Sequence, residues 1–271
     1  MTVLEVKFLA TLSPATASTV CNELLEKCTI LENFDYDDLL LPDRMYLIFW
    51  IRLNSFTAKT GYTITIPKCS GCGQQIEENI PLETITFKYL DKPFNPVVSL
   101  PDSGISLNIN IPRYRDAWIS PQDEIEDTAM YIDVPLSFED KVEFVTNMSA
   151  YDYAVIRSAI TENYCGINEE YFVKCGNCDK QHPIRLVVND NNLFTPVNIM
   201  EILEMMTRIC KYTHMQITND WPWIEVEIEN EIVNRMIQEE NERNNKELNN
   251  AKQRASGISS THMPSMPSLP H

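Results

Sequence analysis

The sequence predicts an α+β fold in which a four-cysteine core carries a long β-hairpin and helical insertion and is flanked by N- and C-terminal helices. Two Cys-x-x-Cys turns, each lying between two β-like runs, predict the core. A clean alternation of apolar and polar residues predicts the hairpin. Apolar residues spaced three and four apart predict the flanking helices.

Residues 1–60 are predicted to form an N-terminal helical segment. The proline of Ser13-Pro14 suits the first position of a helix, and Val20 and Leu24 continue it at a spacing of four. A second helix is expected to begin near Leu41-Pro42 and to contain the chain's longest apolar run. That run is far too short to cross a membrane, so no membrane span is expected.

Two predicted knuckles carry the key cysteines: Cys69-Ser-Gly-Cys72 in residues 61–83, and Cys175-Gly-Asn-Cys178 in residues 165–192. A two-residue spacer lets both sulfurs of a pair face one centre while the backbone amides of the turn partly neutralise the thiolates. Glycines in the turns are expected to adopt tight or left-handed conformations: Gly71, Gly73 and Gly176. Four thiolates make a tetrahedral site, which predicts one structural zinc in a zinc-ribbon-like core, held by Cys69, Cys72, Cys175 and Cys178.

Other interpretations of the cysteines stay open. An iron–sulfur cluster is the weaker alternative, because it also takes four thiolates. A redox dithiol would require a Cys-x-x-Cys pair that opens a helix in a βαβ unit, and neither pair does so. Disulfides are disfavoured, since the first residues show no signal peptide and cytosolic thiols stay reduced. His182 could replace a ligand but is not needed. The remaining cysteines are expected to be ordinary small residues: Cys21, Cys28, Cys165 and Cys210.

Residues 84–164 form the predicted insertion between the knuckles. Val97–Leu100 and Ile105–Ile111 are expected to pair as a hairpin, with proline and glycine marking the turn. Two helices follow, and each is opened by a serine with an aspartate three residues later, in Ser137-x-x-Asp140 and Ser149-x-x-Asp152.

Residues 193–250 are predicted to form C-terminal helices. One begins near Phe194-Thr-Pro196, and its methionines are expected to provide adaptable core: Met200, Met205 and Met206. The last begins at Asp220 or Trp221, although its first residues also alternate as a strand does. Four residues at a spacing of four favour a helix: Ile224, Ile228, Ile232 and Met236. Residues 251–271 are expected to be a disordered tail, rich in Ser, Pro and Met.

The chain is strongly acidic, with a formal net charge of −17. Clustered Lys and Arg hold a phosphate backbone, and the one modest basic group, Arg113-Tyr-Arg115, is followed directly by Asp116. We therefore expect no nucleic-acid partner. The sequence contains no phosphate loop, nucleophile elbow or zinc-protease motif. It thus predicts no catalytic residue, no cofactor-binding residue, no small-molecule substrate and no enzyme activity.

The order of these features resembles the T4-type baseplate hub and baseplate-assembly proteins of contractile-tailed bacteriophages. The resemblance covers about residues 40–235. It rests on a helix led by Pro42-Asp-Arg44, the first knuckle, the hairpin at Leu100–Gly104, the second knuckle and an acidic helical end.

This resemblance implies a non-enzymatic structural or chaperone-like assembly protein of the baseplate hub, with other phage baseplate and tail proteins as partners. It implies a location in the host cytoplasm during assembly, with the virion as a second expected location. The alternative from another class is a zinc-ribbon adaptor that acts in transcription through protein contacts. A metal–thiolate redox protein is a third class.

Overall fold

The structure is a computed structural model and describes residues 1–30, 34–57, 61–90, 92–116 and 123–258. The helices in these ranges are α1 (Val3–Phe8), α2 (Ala17–Cys28), α3 (Leu41–Ser55), α4 (Glu124–Tyr131), α5 (Phe138–Thr146), α6 (Ala150–Glu162), α7 (Asp190–Leu193), α8 (Ile199–Thr213) and α9 (Trp223–Ile258). The strands are β1 (Gly61–Ile66), β2 (Ile76–Pro81), β3 (Phe87–Lys88), β4 (Val97–Leu100), β5 (Ile105–Asn108), β6 (Gly166–Ile167), β7 (Glu170–Lys174) and β8 (Gln181–Arg185). Helices and short antiparallel sheets together confirm the mixed α and β class.

Each described sheet is a pair of antiparallel strands. The β1–β2 and β7–β8 pairs are hairpins whose turns contain the cysteines. The β4–β5 pair is the hairpin predicted within the insertion. The β3–β6 pair was not predicted, and in it Phe87 lies opposite Ile167 and Lys88 opposite Gly166. This pair joins the two ends of the insertion, so the inserted chain leaves the core and returns to it at one place.

The main core lies between α2 and α3 and reaches the second knuckle hairpin. Leu24, Ile48 and Phe49 are among its almost fully buried members. Arg44 of α3 is also buried, and its guanidinium forms a bidentate ion pair with Asp190 of α7 at 2.8 and 2.9 Å. The pair fastens α3 to the segment that follows the second knuckle.

The insertion has apolar clusters of its own, because the β4–β5 hairpin packs on α6 around Ile156. The two predicted serine caps are confirmed: Ser137 and Ser149 each accept a hydrogen bond at 3.1 Å from the backbone of the aspartate three residues later. Asp152 does not close a capping box. Its carboxylate instead accepts hydrogen bonds from the backbone N–H groups of Asp102 and Ser103, and thereby holds the hairpin turn on α6.

Three helix starts differ from their predicted positions, and one of them is α9, which begins at Trp223 rather than at Asp220 or Trp221. Pro14 lies in a turn, closed by the Thr16 N–H donating to the Ser13 carbonyl at 3.0 Å, and α2 begins three residues later. The fixed φ of proline suits that turn as well as a first helical position. α8 begins at Ile199 rather than near Phe194, because Asn198 caps it by accepting a hydrogen bond from the Met200 N–H.

The C-terminal helices pack with α1, which the sequence did not predict. Within residues 223–253 of α9 the buried residues are Trp223, Val226 and Val233, so the residues at a spacing of four that indicated a helix lie outside the core. Met200 is likewise 61 % exposed rather than core. α9 continues to Ile258, past the predicted end at 250, and residues 259–271 of the predicted tail lie outside the described residues.

Candidate metal centre

The two knuckles meet, and their four cysteine sulfurs form one cluster. The sulfurs of Cys69, Cys72, Cys175 and Cys178 all lie within 4.8 Å of one another. Across the knuckles, the Cys69 sulfur lies 3.6 Å from the Cys178 sulfur, and the Cys72 sulfur lies 3.7 Å from the Cys175 sulfur. The predicted convergence of the four sulfurs is therefore confirmed.

Matching turns present the two pairs. In each knuckle the first cysteine's carbonyl accepts a hydrogen bond from the N–H of the residue four positions later, Gly73 or Asp179. Both of these residues have a left-handed backbone, with φ of 78° and 59° respectively. Aspartate is one of the residue types that tolerate a positive φ. The Asp179 carboxylate also lies 2.9 Å from the Lys174 ammonium.

The glycines of the turns serve different purposes. Gly73 supplies the predicted left-handed conformation. Gly71 is needed for close approach, because a Cβ there would lie 2.8 Å from the Cys178 sulfur. Gly176 has no positive φ, and a Cβ added to it would meet nothing within 4 Å. Gly176 lies in the turn but lacks the left-handed conformation that the sequence suggested for it, since the second turn places the positive φ at Asp179.

Hydrogen bonds to the sulfurs favour thiolates in the first knuckle. The backbone N–H groups of Cys72 and Gly71 lower the pKa of the Cys69 thiol to about 5. The Asn177 side chain of the other knuckle lowers the pKa of Cys72. The Lys180 backbone lowers the pKa of Cys178, but the neighbouring sulfurs outweigh it and raise that pKa to about 12. Cys69 and Cys72 are therefore favoured as thiolates, whereas the close sulfurs oppose deprotonation of Cys178, and a bound cation would offset that repulsion.

His182 contacts the cluster from β8. Its Nε2 atom lies 3.2 Å from the Cys69 sulfur. In the tautomer that carries a proton on Nε2, the ring donates to that sulfur and leaves all four cysteines available as ligands. The sequence indicated His182 only as a replacement ligand, through its position four residues after Cys178.

The geometry fits a single tetrahedral ion. Zn–S bonds of about 2.3 Å place the sulfurs of a tetrahedron about 3.8 Å apart, close to the cross-knuckle distances above. An iron–sulfur cluster distributes its cysteines over separate iron atoms, so it would hold the sulfurs farther apart than this compact group allows. The other four cysteines lie outside the cluster: Cys21, Cys28, Cys165 and Cys210.

The first 194 residues of the chain match a family model described as T4 bacteriophage base plate protein. The chain belongs to this family. The match confirms the resemblance to T4-type baseplate proteins, and it spans both knuckles, the insertion and α7. Neither the curated proteins nor the solved structures contain a match.

Membership of the base plate family gives the chain a structural role in a phage baseplate, with other phage proteins as its partners. The family model ends before α8, so the α8–α9 pair lies outside the matched region. Among the described residues, no helix combines the length and the apolar character that crossing a membrane requires.

Proposed function

We propose that this base plate family member is a non-enzymatic structural or assembly protein of the baseplate hub, folded around one zinc ion. The family match over residues 1–194 supports the role. The four-cysteine cluster supports the metal, with Cys69, Cys72, Cys175 and Cys178 as its ligands. The protein acts in the host cytoplasm during tail assembly.

The proposed zinc supplies positive charge and four directed bonds to sulfur. The four thiolates fill a tetrahedral shell, whereas catalytic zinc keeps a position open for water or substrate. Cys69 and Cys175 are 1 % and 2 % exposed, so they also pack in the small apolar cluster beneath the site. That cluster shares Tyr171 and Ile184 with the main core. The centre thus fixes the two hairpins on the body of the protein.

The role is tested by deleting the gene from its phage and examining the tail structures that accumulate. We expect baseplate precursors that lack a complete hub, and restoration of tails when the chain is supplied from a plasmid. Affinity purification of the tagged chain during infection should recover hub or tail proteins. Mass spectrometry of mature particles then shows whether the chain remains in the virion.

Normal baseplates without the gene would refute the assembly role. Recovery of RNA polymerase in place of tail proteins would support the transcription adaptor instead. Elemental analysis of the purified chain should find one zinc per chain, and iron in its place would contradict the proposed metal.

A further inference from the structure

Helix α9 carries two apolar faces. One face packs against α1 and α8 through Trp223, Val226 and Val233. The other, which we name the outer stripe, consists of four residues that remain 36–46 % exposed: Ile224, Ile228, Ile232 and Met236. At about 3.6 residues per turn, the centres of the two faces point in nearly opposite directions from the helix axis. The outer stripe is therefore a surface that the packing of α9 on the body leaves open.

The far half of α9 also lacks support from the body. Every residue from 238 to 253 is exposed. The helix has 36 residues in total, which at about 1.5 Å per residue makes it far longer than the 15-residue α8 that packs beside it. A helix segment that is exposed on all sides gains little stability from helix propensity alone, because most helical stability in proteins comes from tertiary packing. A second helix lying along α9 would supply that packing.

The charges beside the outer stripe restrict the kind of helix that fits. Glu225 and Glu229 border it on one side, and Glu231 and Arg235 border it on the other. Between residues 223 and 248 there are eight Glu against three basic residues, Arg235, Arg243 and Lys246. A second copy of this chain would bring like charges together, and an anionic lipid surface would do the same. A helix with Lys and Arg beside an apolar seam complements both the apolar surface of the outer stripe and the negative charge beside it.

We propose that the outer stripe binds a basic amphipathic helix of another protein, with the partner's apolar residues on Ile228 and Ile232 and its Lys and Arg beside the glutamates. This is the helix-to-helix mode of recognition, in which apolar anchors recur at helical spacing. The proposal goes beyond the baseplate role, since α8 and α9 lie outside the family match and the interaction requires neither the metal nor a hub protein.

The test uses the full chain and a synthetic four-heptad peptide with Leu at a and d and Lys at e and g. Fluorescence anisotropy should show saturable binding. Two matched peptides should bind about tenfold more weakly or worse: one with Glu at e and g, and one with the same composition in scrambled order. The double variant Ile228→Ser/Ile232→Ser should lose about tenfold in affinity, because it removes the central anchors.

Leu248→Ser is the matched control, since Leu248 is an exposed apolar residue of the same helix that lies outside the outer stripe. It should bind the Lys peptide as the parent does. Circular dichroism and the melting temperature should be unchanged in all variants, because each replaces an exposed side chain.

Equal binding of the ordered and scrambled peptides would overturn the proposal, as would full binding by the Ile228/Ile232 variant. A dimer in light scattering that these substitutions dissociate would assign the stripe to a second copy. If the peptide binds only after removal of residues 259–271, the stripe belongs to the chain's own C-terminal residues.

Discussion

At the scale of single residues, the four-cysteine centre depends on groups that are not ligands. Gly71 gives space to the Cys178 sulfur, Asn177 reaches Cys72 across the knuckles, and His182 lies against Cys69. The spacing of the cysteines was enough to predict which sulfurs meet. It was not enough to predict these contacts, because each of them joins a residue of one hairpin to a cysteine of the other. Such contacts form only where the two turns pack together.

Replacing a ligand should remove both the metal and the fold. In Cys72→Ser or Cys175→Ser we expect loss of bound zinc and a large fall in the yield of folded protein, because the free energy of binding a structural metal is free energy of folding. Zinc per chain and the melting temperature measure the effect. Cys165→Ser, at a half-buried cysteine outside the cluster, is the control and should keep its metal. A Cys72→Ser chain with unchanged zinc content and melting temperature would contradict the proposed site.

His182→Phe should weaken zinc binding about tenfold, the size of effect usual for groups that orient metal ligands. His182→Gln, which keeps an N–H donor, should recover most of the affinity. Competition with a chromophoric chelator measures both variants. The positioning role of His182 is wrong if the Phe variant binds zinc as tightly as the parent.

At the scale of elements, polar contacts decide how the pieces are joined. Asp152 holds the β4–β5 turn on α6, and Arg44 holds α3 to α7. Asp152 was visible in the sequence as part of a cap, but its real partners lie about fifty positions away in the hairpin. A local motif cannot show such partners, since only the packing of the hairpin on α6 brings them together.

Asp152→Asn should lower the melting temperature at neutral pH. Burial raises the pKa of Asp152, but the hydrogen bonds from Asp102 and Ser103 outweigh it and the net shift is downward. The stabilisation is therefore complete above the unfolded pKa of about 3.9 and is lost as the pH falls through the lower folded pKa. Melting curves recorded from neutral to acidic pH should show the melting temperatures of the parent and of Asp152→Asn converging as the pH falls.

The control for Asp152 is Asp140→Asn, because Asp140 occupies the same position after its serine cap in α5. The Asp140 carboxylate shares the favourable interaction with a helix N-terminus. Among the described residues, no N–H group of a hairpin turn donates a hydrogen bond to it. If both substitutions lower the melting temperature equally, the hydrogen bonds to the hairpin contribute nothing measurable.

Arg44→Ala should destabilise the protein by about 3–5 kcal/mol, since it leaves the Asp190 carboxylate largely buried without its cation. Arg185→Ala removes a comparable ion pair, to Glu169, but the Arg185 side chain is 78 % exposed. Its expected cost is about 0–1 kcal/mol. Urea unfolding of the two variants measures the difference, and equal costs would show that burial of the Arg44 pair is unimportant.

At the scale of the whole molecule, the acidic charge should exclude nucleic acid. We expect no binding of DNA or RNA at physiological salt, because the net charge of −17 repels phosphate. Electrophoretic mobility shift and anisotropy assays with single- and double-stranded probes test this. Tight binding that weakens steeply with salt would favour the transcription adaptor over the baseplate role.

The sequence predicted the class of fold, both knuckles, the hairpin and most helices, because each has a strong local signal. It did not identify the buried face of α9, since the exposed Ile224 and Ile228 show helical spacing as well as the buried Val226 and Val233 do. The buried face is set by packing against α8 and α1, and the six residues of α1, which contribute Val3 and Val6, are too few to show a period. The β3 and β6 strands have two residues each and were missed for the same reason.

The β3–β6 pair has a practical consequence for engineering. Lys88 and Gly166 are partners across one pair of strands, so residues 89–165 begin and end side by side. A cassette with adjacent ends can be exchanged without rerouting the chain around it, as in domain insertion. The same two positions are therefore the natural points at which to splice a fluorescent reporter or a shortened loop while both cysteine hairpins keep their connections.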